Sequence, residues 1–239
     1  MTIKKRNELK MAFKKGSIPT QEDFSNLIDS FIHKEEDGLF GAEGGLKMVP
    51  LVPSGSSKKF ASFFKNVINK SAVWSLEPHP NNSEEFGLNF VDLNGVSQFL
   101  ISSNGYVGLG TLSPQTKLDV NGNMQSFGRR GNYKSGKVLG NGKWHKIIEH
   151  LTDCHLFEIV AKINKPGCGM HSIIHATAAN AFNGGKKDIN ITRAYYGSFR
   201  NRIELRWTGD TFDYNLEIRT RRDYEDNSYI EYYITNLWF

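Results

Sequence analysis

The chain has 239 residues, enough for one large or two small domains, with 38% hydrophobic residues, 12% aromatics and 23 glycines. That mix favours many short strands and turns over a helical bundle. No apolar run approaches the ~18 residues of a membrane span, and the net charge of +5 comes without a basic stripe or a nucleic-acid motif, so neither membrane insertion nor nucleic-acid binding is expected.

The excess charge is uneven. Residues 128–239 hold 17 Lys+Arg against 12 Asp+Glu, while residues 1–127 hold 13 of each. A weakly basic C-terminal part could help the chain meet anionic cell-surface polymers. No signal-peptide pattern follows the charged residues 1–6, so synthesis in the cytoplasm is expected, with free thiols at Cys154 and Cys168.

Residues 8–15 predict two helical turns stopped by Gly16. Pro19 then precedes Thr20, and Asp23 lies three positions further on, a near-match to a capping box. Phe24, Leu27, Ile28, Phe31 and Ile32 follow at offsets 0, 3, 4, 7 and 8, which places them on one face of a helix over 20–33. Residues 34–38 end it. A helix of about 14 residues is marginal alone, so its stripe must pack on its own domain, on a sister chain or on a larger assembly. Gly, Pro and Ser are dense over 39–57 and predict an extended tether.

Ser56 or Ser57 could cap a second helix, because Phe60, Phe63, Phe64, Val67 and Ile68 repeat the 0, 3, 4, 7, 8 spacing. Strands are predicted over 72–76, 86–91 and 96–101. Pro78, Pro80, Asn81 and Asn82 make a loop between the first two, and Asn94-Gly95 the turn between the last two. The meander leads into a hairpin at Asn104-Gly105, so 72–110 reads as one antiparallel sheet. From Ser102 to Gly122 the apolar runs are very short, broken by Gly108, Gly110 and Pro114 and punctuated by Asn104-Gly105 and Asn121-Gly122. Strands of three or four residues bury too little to stand alone. An identical chain is the simplest partner, because symmetry repeats each contact.

The run Asn104-Gly105-Tyr106-Val107-Gly108-Leu109-Gly110-Thr111-Leu112-Ser113-Pro114, with Lys117-Leu118-Asp119-Val120-Asn121-Gly122, resembles a repeat of bacterial and phage fibre and adhesin proteins. That repeat reads roughly Gly-Asn-Val-Gly-Ile-Gly-Thr-Thr-x-Pro, then Lys-Leu-x-Val-x-Gly. Here Tyr106 precedes the valine, and Leu109 and Leu112 replace Ile and Thr. The match covers about 20 residues in a single copy, which implies a short connector and not a long shaft. The run from Pro19 to Gly38 resembles the N-terminal segment of some proteins encoded with bacterial phage-tail-like contractile injection systems.

Residues 128–239 read as a separate domain. Ile203, Leu205 and Trp207 alternate with charge, as do Tyr214, Leu216 and Ile218, and Gly209-Asp210 lies between the two runs. This predicts a hairpin with one buried and one charged face. A last strand over 229–237 sets Ile230, Tyr232 and Ile234 on one side, and the apolar Leu237-Trp238-Phe239 end is expected to pack. Earlier strands fit 156–163 and 170–178, giving a jelly-roll-like β-sandwich.

Candidate chemistry is sparse. Cys154, His155, Cys168, His171 and His175 approach a zinc-finger spacing. His171 and His175, however, lie in a predicted strand, where four residues span ~13 Å, too far for two ligands of one zinc at ~2 Å each. No metal is expected, although a threefold axis could gather three copies of one histidine around an ion. Glu204, Asp210, Asp213 and Glu217 are candidates for a glycosidase pair, yet Arg202, Arg206 and Arg219 beside Glu204 and Glu217 predict a surface charge ladder. No phosphate loop, dinucleotide fingerprint or Ser/His/Asp pattern appears, so no cofactor and no enzyme activity are expected. For adhesion, the candidates are Tyr195, Tyr196, Phe199, Trp207, Tyr224, Tyr229, Tyr232 and Tyr233 among Arg200, Arg202, Arg221 and Arg222. Most of these are expected to be core or inter-subunit residues.

The expected architecture is mainly β and homotrimeric: a helical docking segment over 1–38, a linker over 39–57, a helix plus β-meander collar over 58–127, and a β-sandwich over 128–239. The resemblances imply a structural or adhesion component of a phage or phage-tail-like contractile injection particle. Its partners would be its own copies, baseplate or other particle proteins through the N-terminal helix, and a cell-surface glycan or protein. A polysaccharide-degrading spike, or an internal baseplate or scaffold part without a receptor, are the alternatives.

Overall fold

A computed structural model describes residues 6–31, 39–42, 45–48, 59–66, 68–78 and 87–238. The chain is mainly β and divides into two units, residues 1–125 and 126–239.

In the first unit, α1 (Arg6–Ala12) ends before Gly16, whose φ is +90°. The next helix, α2 (Gln21–Asp29), starts with the expected capping box: Thr20 Oγ1 accepts from the Asp23 N–H, and the Asp23 carboxylate accepts from the Thr20 N–H. Phe13 meets Phe24 edge-on with ring centroids 5.3 Å apart. Phe24, Ile28 and Phe31 nevertheless stay exposed. Ile32 and the expected helix stop at 34–38 lie outside the described residues. Within the expected tether, β1 (Leu39–Ala42) pairs antiparallel with β2 (Gly45–Met48); the rest of that stretch lies outside the described residues.

The helix expected over 60–68 is not formed. β3 (Ala61–Phe63) is a strand on the edge of β4 (Trp74–Glu77), secured by Phe60 N–H to Leu76 O at 2.7 Å and Val73 N–H to Phe63 O at 2.7 Å. Asn66 explains the difference. Its side-chain oxygen accepts from the Ile68 and Asn69 N–H groups, a local turn that competes with helix. The aromatic spacing suits a strand as well. Val67, the Ser56/Ser57 cap and the loop at Pro80, Asn81 and Asn82 lie outside the described residues.

β4 opens a sheet with β5 (Gly87–Asp92), β6 (Ser97–Ser102), β7 (Val107–Leu109) and β8 (Leu118–Val120), in the order β3-β4-β5-β6-β7-β8. The turns β5–β6 and β6–β7 are built alike, ten residues apart. Gly95 and Gly105 take left-handed φ (+79° and +74°), and each donates its N–H to the residue three back, Asp92 or Ser102. Asp92 Oδ1 and Ser102 Oγ then cap the residues beyond, Val96 and Tyr106.

Asn121-Gly122 makes no hairpin. The sheet expected over 72–110 is antiparallel throughout, and β8 beyond it pairs with β7 in parallel. The connection is eight residues, where a dozen or more are usual for parallel strands, and glycine makes it possible. A Cβ on Gly108 would strike the Thr111 carbonyl, and Gly110 has φ +69° with the Asn121 carbonyl beside it. Asn121 closes the loop through its backbone N–H to Leu109 O and its side-chain amide to Gly110 O.

The second unit is two antiparallel sheets around one core. β9 (Lys134–Leu139), β11 (Cys154–Lys165), β12 (Met170–Ala181), β13 (Asp188–Tyr196) and β16 (Tyr229–Asn236) form the sheet β13-β12-β11-β16-β9. β10 (His145–Leu151), β14 (Ile203–Gly209) and β15 (Tyr214–Thr220) form the sheet β10-β15-β14. Strands β11, β12 and β13 stay side by side in one sheet, so the sandwich is five strands against three and follows a jelly roll only in part. The hairpin at 202–219 appears as expected, with Ile203↔Thr220 and Trp207↔Leu216 in register and Gly209 at φ +102°. Phe157, Ile159, Ile174, Ile203, Leu216, Ile218, Ile230 and Ile234 are fully enclosed between the sheets. At the C-terminal end Leu237 and Trp238 are exposed, which corrects the expected packing of 237–239 as far as it is described; Phe239 lies outside the described residues.

Two phenols are buried in this core. Tyr214 donates to Asp153 O at 2.8 Å and Tyr224 to Asn201 O at 2.5 Å. Burial pushes both hydroxyls up to about 12, from an ordinary value of about 10. A raised folded-state value means the protonated phenols favour the fold. Their contribution is whole below about pH 10 and is lost as pH rises through about 12. We expect thermal unfolding midpoints to fall over that window while late-titrating tyrosinate absorbance appears. Tyr224→Phe should cost about 1–2 kcal/mol at neutral pH, because the buried Asn201 carbonyl loses its donor. Midpoints indifferent to pH between about 9 and 12 would contradict this.

Candidate binding surfaces

The aromatic candidates separate by burial. Trp207, Tyr224 and Tyr232 belong to the core, with Trp207 edge-on to Tyr214 at 5.6 Å. Tyr195, Tyr196, Phe199 and Tyr229 are exposed, Tyr196 most of all at 68%. Tyr233 is half-buried under the Arg130 guanidinium, 4.4 Å from its ring centre.

The zinc-like set does not converge. Cys154 begins β11 and Cys168 lies in the turn after it, so a 12-residue strand separates them, roughly 35 Å. Both are free and exposed. His155 gives Nε2 to Thr152 O at 2.8 Å and stacks on Phe157. His171 and His175 face outward on β12, opposite Asn164 and Val160. Among the described residues no group of three or more His, Cys, Asp or Glu could hold a metal ion.

The carboxylates are held by cations. Glu204 Oε2 accepts from Arg219 at 2.7 Å, Glu204 Oε1 from Arg202 at 2.8 Å, and Arg221 lies 3.7 Å away. Glu217 accepts from Arg206 at 2.7 Å. Burial opposes ionisation of Glu204, but the hydrogen bonds from Arg219 and Arg202 outweigh it and leave its carboxyl below the ordinary range. Asp213 meets His150 at 3.0 Å, and the Asp210 N–H bonds the Asp213 carbonyl. The expected charge ladder is therefore the outer face of the three-stranded sheet. Trp144 covers it, with the Arg206 and Arg219 guanidiniums 4.2 and 4.3 Å from its ring centre.

The outer face of the five-stranded sheet carries a second surface that the sequence did not disclose. Val160 and Ile173 form an exposed aliphatic floor. On one side Arg129 Nη2 reaches both oxygens of Glu158 at 2.7 Å, and His175 Nε2 lies 3.0 Å from Glu158 Oε1. On the other, the Tyr233 hydroxyl donates to Glu231 at 2.8 Å beside Lys162. Val160, Ile173, Arg129, Glu158, Lys162, Glu231 and Tyr233 line a cleft of about 270 Å³, with His175 bonded to Glu158 from outside the lining. Gly131 makes the cleft possible, since a Cβ there would strike the Ile234 carbonyl of β16. The pairing that would have located it, Arg129 with Glu158, spans 29 positions and has no local signature. The hydrogen bond from His175, and then the Arg129 charge, hold the Glu158 carboxyl below its ordinary range against the opposing effect of burial.

Because the folded-state carboxyl titrates low, the stabilisation by Glu158 is present above about pH 4.3 and lost as pH falls through the folded-state value. Glu158→Gln should therefore melt below the wild type at neutral pH, by an amount that shrinks toward zero in acid. A gap that stays constant from neutral to acid pH would refute the assignment. No protein-family model matches the chain, and no curated protein matches it.

Proposed function

We propose that the chain is a non-enzymatic structural and adhesion component of a phage or phage-tail-like contractile injection particle, assembled as a homotrimer through its first unit. One observation carries this reading: the six-stranded sheet is inside out for a lone chain. One face presents Ala61, Phe63, Trp74, Leu76, Leu88, Phe90, Phe99, Ile101, Val107, Leu109, Leu118 and Val120. None of these twelve is buried. The opposite face buries Ser75, Asn89, Val91, Ser97, Leu100 and Gly108, leaving Ser62 exposed and Glu77, Ser102 and Asp119 half-buried toward its margins.

An antiparallel sheet with one wet side normally turns its apolar side inward. Six strands ~4.8 Å apart make an apolar wall about 25 Å wide, larger than a monomer usually leaves open. Asp92, opposite Trp74 at the end of β5, is the one charged residue on this face among the described residues, so the occupant must be largely apolar, and a copy of the chain meets that demand. The fibre-like Gly108-x-Gly110 loop closes one edge of this sheet. The exposed Phe24 and Ile28 of α2, with Phe31 just beyond its C-terminal cap, suit attachment to a particle protein. Three copies would present the second unit three times, which multiplies weak contacts with a surface.

The solution mass tests this directly. We expect three times 27.1 kDa, and Leu88→Lys or Ile101→Lys should shift it toward a single chain. A wild-type mass of 27.1 kDa would refute the assembly. Particles lacking the chain should lose cell attachment, and unchanged attachment would leave only an internal scaffold role.

A further inference from the structure

We infer that the corner of the three-stranded sheet at Phe199, Arg200 and Arg221 binds the acidic groups of a carboxylate- or phosphate-bearing polysaccharide. This rests on the adhesion reading above and names the chemistry that would carry it.

The argument starts from charge. A ladder that served the sheet alone would match cations to carboxylates, as Arg206 and Glu217 do. Around Glu204 three guanidiniums share one carboxylate: Arg219 and Arg202 take it at 2.7 and 2.8 Å, and Arg221 is left at 3.7 Å. Arg200 makes no ion pair among the described residues. Both Arg200 and Arg221 lie over the Phe199 ring, 6.0 and 5.2 Å from its centre. Two guanidiniums thus stand on one half-exposed ring with their charge largely uncompensated. Guanidinium donors on a planar support suit a carboxylate or phosphate, which they can grip bidentately.

The corner is also held in place before any ligand arrives. Phe199–Asn201 is a single 3-10 turn capped by Ser198. Asn201, 2% exposed, donates its side-chain amide to Tyr196 O at 2.6 Å and accepts the Tyr224 hydroxyl on its own carbonyl at 2.5 Å. The Arg221 N–H in turn bonds Arg202 O at 3.0 Å. Such preorganisation lowers the ordering cost of binding.

A polysaccharide fits better than a nucleic acid. The Phe199 ring is already occupied by guanidiniums and is not free to stack a base, and the neighbouring Arg202, Arg219 and Arg206 are already paired with Glu204 and Glu217. The fixed Glu204 and Glu217 beside the corner would repel a dense line of phosphates. A sugar chain with one acidic group per repeat avoids them.

The test uses the full chain against immobilised polygalacturonate, a phosphorylated dextran, neutral dextran and single-stranded DNA, at low and high salt. We expect retention by the two acidic polysaccharides but not by neutral dextran, weakening as salt rises. Arg200→Glu and Arg221→Gln should each lower it at least about tenfold, the loss of one charge-assisted hydrogen bond. Arg193→Glu on β13 should leave it unchanged. Arg200 has no ion pair to break, so its variant should keep the wild-type melting temperature. Equal retention by neutral dextran, tighter binding to DNA, no retention by either acidic polymer, or indifference to both variants would each overturn the inference. Particles that need the chain for attachment but ignore Arg200→Glu would overturn it while sparing the adhesion reading. Retention that depends on Arg200 without any effect on attachment would do the reverse.

Discussion

An apolar sheet face left open to water is the constraint from which the rest follows. Of the twelve apolar side chains on one side of β3–β8, eight are half-buried and Phe63, Trp74, Ile101 and Leu118 are exposed, so their burial stays incomplete unless something covers them. On the covered side Val91 and Leu100 are buried together with the polar Ser75, Asn89 and Ser97, the Ser97 hydroxyl donating to Asn89 Oδ1 at 2.6 Å. That side offers two aliphatic side chains against twelve on the other. The driving force has been moved to the exposed side, where a single chain cannot collect it in full. A capped helix with an unburied stripe, α2, repeats the same economy in the same unit.

The second unit answers the opposite demand. Its two sheets enclose a continuous core from Phe157 to Ile234, and its buried polar groups mostly have partners, such as Tyr224 on Asn201 and Tyr214 on Asp153. Few of its strands depend on a neighbour for burial. Its outer faces are therefore free to carry charge in excess of what the fold needs. The cleft over Val160 and Ile173, and the arginine ladder under Trp144, are both of that kind.

How much of this was legible follows from where each signal is stored. The hairpin at 202–219 was, because Ile203, Leu205 and Trp207 alternate with charges that face water. The start of α2 was, because Thr20 and Asp23 cap it within four residues. The spacing Phe60, Phe63, Phe64 was misread, since it satisfies helix and strand alike and Asn66 decides between them. β10 was hidden by its own irregularity: Ile147 and Ile148 are adjacent and both buried, because the register shifts between Lys146 and Ile148. The parallel β7–β8 pair depends on a close approach of Gly108 to Thr111 that no periodicity encodes. Alternation showed which side of the first sheet is apolar, but covering is a property of neighbours, so the inversion needed coordinates. The arginine corner was legible as composition and illegible as geometry, because Arg200 and Arg221 meet only through the 3-10 turn at Phe199.

The two halves therefore respond differently to association. Coverage of the first sheet by copies stabilises it by mass action, growing with the concentration of chains. The second unit has its core already and gains nothing intrinsic from neighbours. On the proposed reading, a first unit that is completed only by copies and a second unit that is complete alone would let the first set how many copies of the second are presented together. A low-affinity contact on each second unit, such as the one proposed between an acidic sugar group and Arg200 and Arg221, would then become effective only once copies have assembled. Weak single sites and an apolar, uncovered sheet would then be one solution, since a second unit that bound tightly by itself would gain little from being presented in several copies.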